Sequence, residues 1–243
     1  MLDHLLNSLP VFLLELLAAL AGIYYLKKAI SPTYEYKLLV GFLWFSFFVE
    51  IAALYTIIAY YSNYEYFGFI KGSNFQRNYW LYNLRNIIEY IIYILFFLSQ
   101  LKESNFKKLL QTFAFLLVPA MILNLIISDV YFQSYSQFTI LVNALMYLIL
   151  ILRYFYEMLQ SDIILNFYRS LAFYVSVGVL LWYLSITPFF IYSKYYEATN
   201  MEFVELQRMV LATMNIFFYS LFIFGFLNCG IKKRSQIKNE APT

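Results

Sequence analysis

Arg85 and Glu89 lie one helical turn apart inside an apolar run, and Glu15 and Glu50 lie inside two others. An ionisable side chain at the centre of a membrane helix costs about 2.5–3.5 kcal/mol on insertion scales, so such groups mark ligand pockets, ion paths or proton relays. The Arg85–Glu89 spacing allows a pair within one helix, with Glu15 and Glu50 as rival partners across helices. Three carboxylates against one guanidinium leave at least one glutamate without a cation. Such a group is suited to sense or carry a proton. The competing reading is a structural salt bridge with polar glue between helices.

Around Arg85 the run reads NYWLYNLRNIIEYIIYILFF. At about 100° per residue, Arg85, Glu89, Tyr82, Tyr93 and Asn86 all fall within about 100° of the helical wheel, and the opposite face is mostly Ile and Leu. Lipid cannot satisfy the polar stripe, so it must face the bundle or water. Glu15 shares a face with Ala18, Ala19 and Gly22, small residues that allow close helix approach. Glu50 lies one turn from Ser46. Asn124, Asn143, Thr187 and Asn215 fall in the same half of their runs as these charges. The other half is Phe, Leu, Ile and Tyr, apart from Arg153, Glu157 and Asn228 near its edge. The expected arrangement is a polar cavity open on one side and plugged on the other. Ligand-binding or proton-sensing candidates are Glu15, Glu50, Tyr82, Arg85, Asn86, Glu89, Asn124, Asn143 and Asn215. Pro188 removes a helix hydrogen bond and is the candidate hinge.

The elements that must position these residues are membrane helices. Hydrophobic residues make up 63% of the 243-residue chain and charged residues 13%, against about 25% charged in a soluble domain. Mean hydropathy is +0.66. Seven runs reach the roughly 20 residues that cross a bilayer, at about 9–26, 38–60, 79–100, 109–128, 137–158, 170–192 and 208–229. The expected fold is an all-α, polytopic seven-helix bundle over 1–230 with a short basic tail over 231–243. The N-terminal segment lacks a positive n-region and a cleavage site, so the first run is expected to stay as a span. If the N-terminus is outside, twelve Lys and Arg residues fall on inner segments, four on outer ones, and Arg85 within the membrane. Basic residues accumulate on the cytoplasmic side, so the expected topology is N-out, C-in. Those basic edges grip anionic lipid, and nucleic acid is not an expected partner. No internal repeat is evident, and Tyr and Trp at span ends fit interfacial belts.

Several chemistries are argued against. His4 is the single histidine, which excludes a three-His zinc site and bis-His haem. Cys229 is the single cysteine, so an internal disulfide or CxxC pair cannot form. No GxSxG, HExxH or glycine-rich phosphate loop occurs. The last run has no lysine for a retinal Schiff base. No catalytic motif, metal or cofactor is therefore expected.

NLRNIIEYIIYILFF, FYVSVGVLLWYLSITPFFI and MVLATMNIFFYSLFIFGFL, about a third of the chain, resemble segments of uncharacterised bacterial multi-pass proteins and of the membrane portions of bacterial sensor kinases. The resemblance implies a bacterial inner membrane and a sensory role. This chain has no kinase or cyclase domain, so output would pass through a partner protein or the short basic loops. The leading expectation is a sensor or receptor-like module whose outward pocket takes a small molecule or ion. A proton-coupled transporter or channel subunit, and a structural subunit of a larger membrane complex, are the alternatives.

Overall fold

The computed structural model describes residues 2–29, 31–192 and 201–240, with side chains over 9–29, 31–192 and 201–229. Its long helices are α1 (Leu2–Lys28), α2 (Tyr34–Tyr61), α3 (Tyr79–Gln100) and α4 (Asn105–Ile127). A single turn, α5 (Val130–Gln133), precedes α6 (Gln137–Leu159), α7 (Leu171–Tyr192) and α8 (Met201–Glu240). Seven helices are long and apolar enough to cross a bilayer, over Leu9–Lys28, Tyr34–Tyr61, Tyr79–Gln100, Asn105–Ile127, Gln137–Leu159, Leu171–Tyr192 and Met201–Cys229. Six of these match the runs read from the sequence to within a few residues. The last begins earlier, because α8 already includes the polar Met201–Gln207 turn. The expected basic tail lies partly within α8, and its side chains are outside the described residues. So are Glu197, in the expected outer loop, and the side chain of His4.

The helices do not pack in chain order. Six of them close a ring, α1–α2–α3–α6–α7–α8 and back to α1, while α4 packs outside it against α3 and α6. That position leaves much of α4 uncovered by other helices. Leu109, Phe113, Leu116, Ile122, Leu123, Ile126 and Ile127 of α4 are all exposed, which suits a helix bathed in lipid. By contrast α1 carries Ala18, Ala19 and Gly22, all buried, between α2 and α8. A Cβ on Gly22 would come within 2.8 Å of a Val40 methyl, so the α1–α2 seam has no room for one.

The half of the bundle containing the α1 C-terminus, the α2 N-terminus and the α3 C-terminus is filled with rings. Tyr90, Tyr93, Phe96, Phe97, Tyr147, Phe222 and Phe226 are each under 2% exposed. At that end the α3–α4 corner is tied to α6 by Glu157. Its carboxylate accepts the Lys102 amide N–H at 2.8 Å and the Arg153 Nε–H at 2.8 Å. At the opposite end Asn83, fully buried, ties the α4–α6 connection to α3. Its amide donates to the carbonyls of Tyr131 and Ser134 at 3.1 and 2.9 Å, and its Oδ1 accepts the Ser136 N–H at 3.0 Å.

Asn83→Ala removes all these bonds and leaves a buried N–H and two carbonyls without partners. Each such orphan costs about 1–3 kcal/mol, so the variant is expected to lose about 2–4 kcal/mol of unfolding free energy. Reversible unfolding in bicelles measures this. A loss below about 0.5 kcal/mol would show that water or other groups take over the bonds.

Candidate functional site

The ring encloses a cavity of about 460 Å³. Every helix of the ring contributes to its wall, and α4 does not. Its lining begins at Ile57, Asn78, Phe190 and Arg208, at the end where α2 and α7 finish and α3 and α8 begin. Arg208 is exposed there and marks the mouth. The lining ends on Phe42, Tyr93, Tyr183, Phe218 and Tyr219, beyond which lies the packed aromatic half.

The five residues of the α3 stripe, Tyr82, Arg85, Asn86, Glu89 and Tyr93, all line this space, and Glu15, Glu50 and Asn215 join them. The remaining candidates do not. Asn124 belongs to α4, outside the ring, and its Oδ1 accepts from the Ser136 hydroxyl at 3.2 Å. No residue of that helix lines the cavity, so Asn124 is not among the residues brought together there. Asn143 stands behind the wall, fully buried. Its amide donates to the Asn86 carbonyl at 3.3 Å and to Tyr183 Oη at 3.4 Å, and its Oδ1 has no hydrogen-bond partner. Pro188 is exposed, and α7 continues through it to Tyr192.

The carboxylates are held by tyrosines from other helices rather than by Arg85. Tyr219 of α8 donates to Glu15 of α1 at 2.9 Å. Tyr82 of α3 donates to Glu50 of α2 at 2.7 Å, and Tyr183 of α7 donates to Glu89 of α3 at 2.7 Å. Each pair joins two different helices, and each tyrosine uses one carboxylate oxygen. A phenol suits this place because its ring is apolar and only its tip needs a partner. Sequence reading named Tyr82 but missed Tyr183 and Tyr219. The available signal was that Tyr219 lies one turn from Asn215.

Arg85 is left with little. Its Nε–H donates to Ser46 at 3.2 Å, and its guanidinium lies 5.9 Å from the Phe42 ring centre. Nη2 stands 3.9 Å from Glu89, beyond hydrogen-bond distance. Among the described residues neither Nη atom meets an acceptor. Glu15, Glu50 and Arg85 all line the same cavity, on α1, α2 and α3. The walls between these groups are aromatic: Tyr135, Trp182 and Phe190 complete the set, and Trp182 is fixed by its Nε1–H bond to Asn215 at 2.7 Å.

No family model matches this chain, and no curated protein or solved structure does either.

Tyr183→Phe deletes a buried donor to an acid and is expected to cost about 1–3 kcal/mol. In a Glu89→Leu background the same change should cost less, by at least about 0.6 kcal/mol, the average for a hydrogen bond between membrane helices. A double-mutant cycle of unfolding free energies reads this coupling. A coupling of zero would mean that the two groups do not meet in the membrane.

Proposed function

We propose that this protein is a receptor-like sensor in a cytoplasmic membrane, with its N-terminus outside. A small ligand or ion enters the cavity from outside, and a protein partner reads the change at the cytoplasmic helix ends. The observation that carries this reading is the one-ended cavity. Charge and hydrogen-bonding capacity are gathered beneath a mouth at the end where α3 and α8 begin, and packed rings fill the other half. Pockets of roughly 300–1,000 Å³ lined by aromatics with a few convergent polar groups are typical of small-molecule sites. The excess of Lys and Arg on the segments at the opposite end supports a mouth that faces outward. The segments that resemble sensor-kinase membrane portions lie on α3, α7 and α8, all of which line the cavity. A transporter needs a second, inward opening, and the fully buried Tyr93, Phe96, Phe97 and Phe222 argue against one.

Single-cysteine labelling tests the orientation and the opening together. In a Cys229→Ala background, Ala212→Cys on the α8 wall should react with a membrane-impermeant thiol reagent added to intact cells. Reaction only in inverted vesicles would overturn the N-out assignment. Flux of a solute through proteoliposomes containing this protein alone would replace the receptor reading with a transporter.

A further inference from the structure

We infer that the cavity takes a small zwitterion in which an amine and a carboxylate sit on the same carbon, an α-amino-acid-like group with an apolar body. This inference rests on the ligand-cavity reading above and specifies what occupies it.

Two unmet needs face each other in the cavity. Arg85 is a permanent cation with five N–H donors, one of which is used, by a neutral hydroxyl. Its nearest carboxylate oxygen is 3.9 Å away. A guanidinium in a low-dielectric site is satisfied by an anion that accepts two parallel N–H bonds, as a carboxylate does. On the adjoining wall Glu15 and Glu50 both line the cavity, and each has one oxygen taken by a tyrosine. Their other oxygens, Oε2 of Glu15 and Oε1 of Glu50, have no hydrogen bond among the described residues. Carboxylate oxygens without a donor are completed by an N–H-rich cation. Tyr82, Tyr135 and Trp182 also line the cavity, and aromatic rings of this kind attract an ammonium.

The spacing selects the kind of zwitterion. Ser46 holds Arg85, and Glu50 is four residues further along the same helix, about 6 Å of rise. The anion-binding and cation-binding poles are therefore close neighbours, as the two charges of an α-amino acid are. A long ω-amino acid would have to fold back on itself. A divalent metal is a poorer fit. The carboxylates come from three helices, and among the described residues no group of His, Cys, Asp or Glu is arranged to hold a metal ion. The volume, about 460 Å³, corresponds to about fifteen water molecules at ~30 Å³ each. It leaves room for an apolar side chain against Leu54, Ile57, Leu211 and Phe218.

The test uses three molecules with the same phenyl body: L-phenylalanine, phenethylamine (no carboxylate) and 3-phenylpropanoate (no amine). Each is titrated against the full-length protein in nanodiscs, and tryptophan fluorescence and the thermal midpoint are read. L-phenylalanine is expected to bind at least tenfold more tightly than either single-charge analogue. Glu50→Gln keeps an acceptor for Tyr82 and should bring L-phenylalanine down to the level of the acid. Arg85→Gln should bring it down to the level of the amine. Equal binding of phenethylamine and L-phenylalanine, with no effect of Arg85→Gln, would overturn the zwitterion while keeping a cation-binding cavity. Saturation by none of the three would also overturn it. The cysteine labelling described above reports independently whether the cavity is open, and so distinguishes a wrong ligand class from a wrong reading of the site. If Arg85→Gln fails to fold, Arg85→Lys, which keeps the charge but not the planar fork that binds a carboxylate through two parallel N–H bonds, should narrow the tenfold preference. An unchanged preference in a folded Arg85→Lys protein would overturn the assignment of Arg85 as the carboxylate pole.

Discussion

The structure depends on the cost of placing a carboxylate at bilayer depth. Glu15, Glu50 and Glu89 each meet that cost with a phenolic hydroxyl from a different helix, at 2.7–2.9 Å. Two of the pairs cross edges of the closed ring, α1–α8 and α2–α3, and the third joins α7 to α3, which are not neighbours in the ring. The polar pairs therefore fix how the helices stand around an interior that is not filled. A hydrogen bond between membrane helices averages only about 0.6 kcal/mol. The pairs position helices more than they stabilise them, and the packed aromatic half supplies most of the cohesion.

The same constraint explains the asymmetry between the two ends. Polar side chains require partners or water, and apolar ones require close packing, so the two populations segregate by depth. At one end α3 presents Arg85, Asn86 and Glu89 to the cavity. Two turns on from Arg85, α3 presents Tyr93 and then Phe96 and Phe97; Tyr93 stacks on Phe97, Phe96 meets Phe97 edge-on, and both Tyr93 and Phe97 pack on Tyr147. One helix thus forms both the wall of the site and the plug beneath it. Glu157 and Asn83 hold the corners at the two ends, each by saturating backbone groups that the loops would otherwise leave unpaired.

The stripe on α3 was legible in the sequence because helical periodicity places residues on a face without any knowledge of neighbours. The spans were legible because length and hydropathy define them. The ring order was not. Nothing in periodicity distinguishes α4 from the other spans, since lipid and a helix neighbour are both apolar, and Asn124 looked as deep and as polar as Asn215. The tyrosine partners were obscured by number, because among 25 tyrosines only three-dimensional placement singles out Tyr183 and Tyr219. Asn83 was passed over because it lies off the polar stripe. Its role is to satisfy a distant connection, and that connection's path is set by the tertiary fold.

Under the proposed reading, the three Glu–Tyr pairs also bound how a ligand could act. Full release of all three would change the balance between two arrangements by about 2 kcal/mol, taking the average of ~0.6 kcal/mol each. Moving a population from 1:99 to 99:1 takes about 5.5 kcal/mol of differential binding. Loosened pairs are therefore too weak to be the whole switch, and they serve to bias it. The remainder must come from contacts that a ligand makes in one arrangement and not the other. Arg85 is the residue with the most to gain, since its Nη donors are unused and its carboxylate neighbour stands out of hydrogen-bond reach at 3.9 Å. A ligand that draws Arg85 also pulls on Ser46 of α2 and on the Phe42 ring beneath the guanidinium. Phe42 packs on Tyr93 at 5.7 Å between ring centres, and Tyr93 is the first ring of the plug. The shortest mechanical path from the charged site to the opposite end of the bundle therefore runs through α2 and the middle of α3.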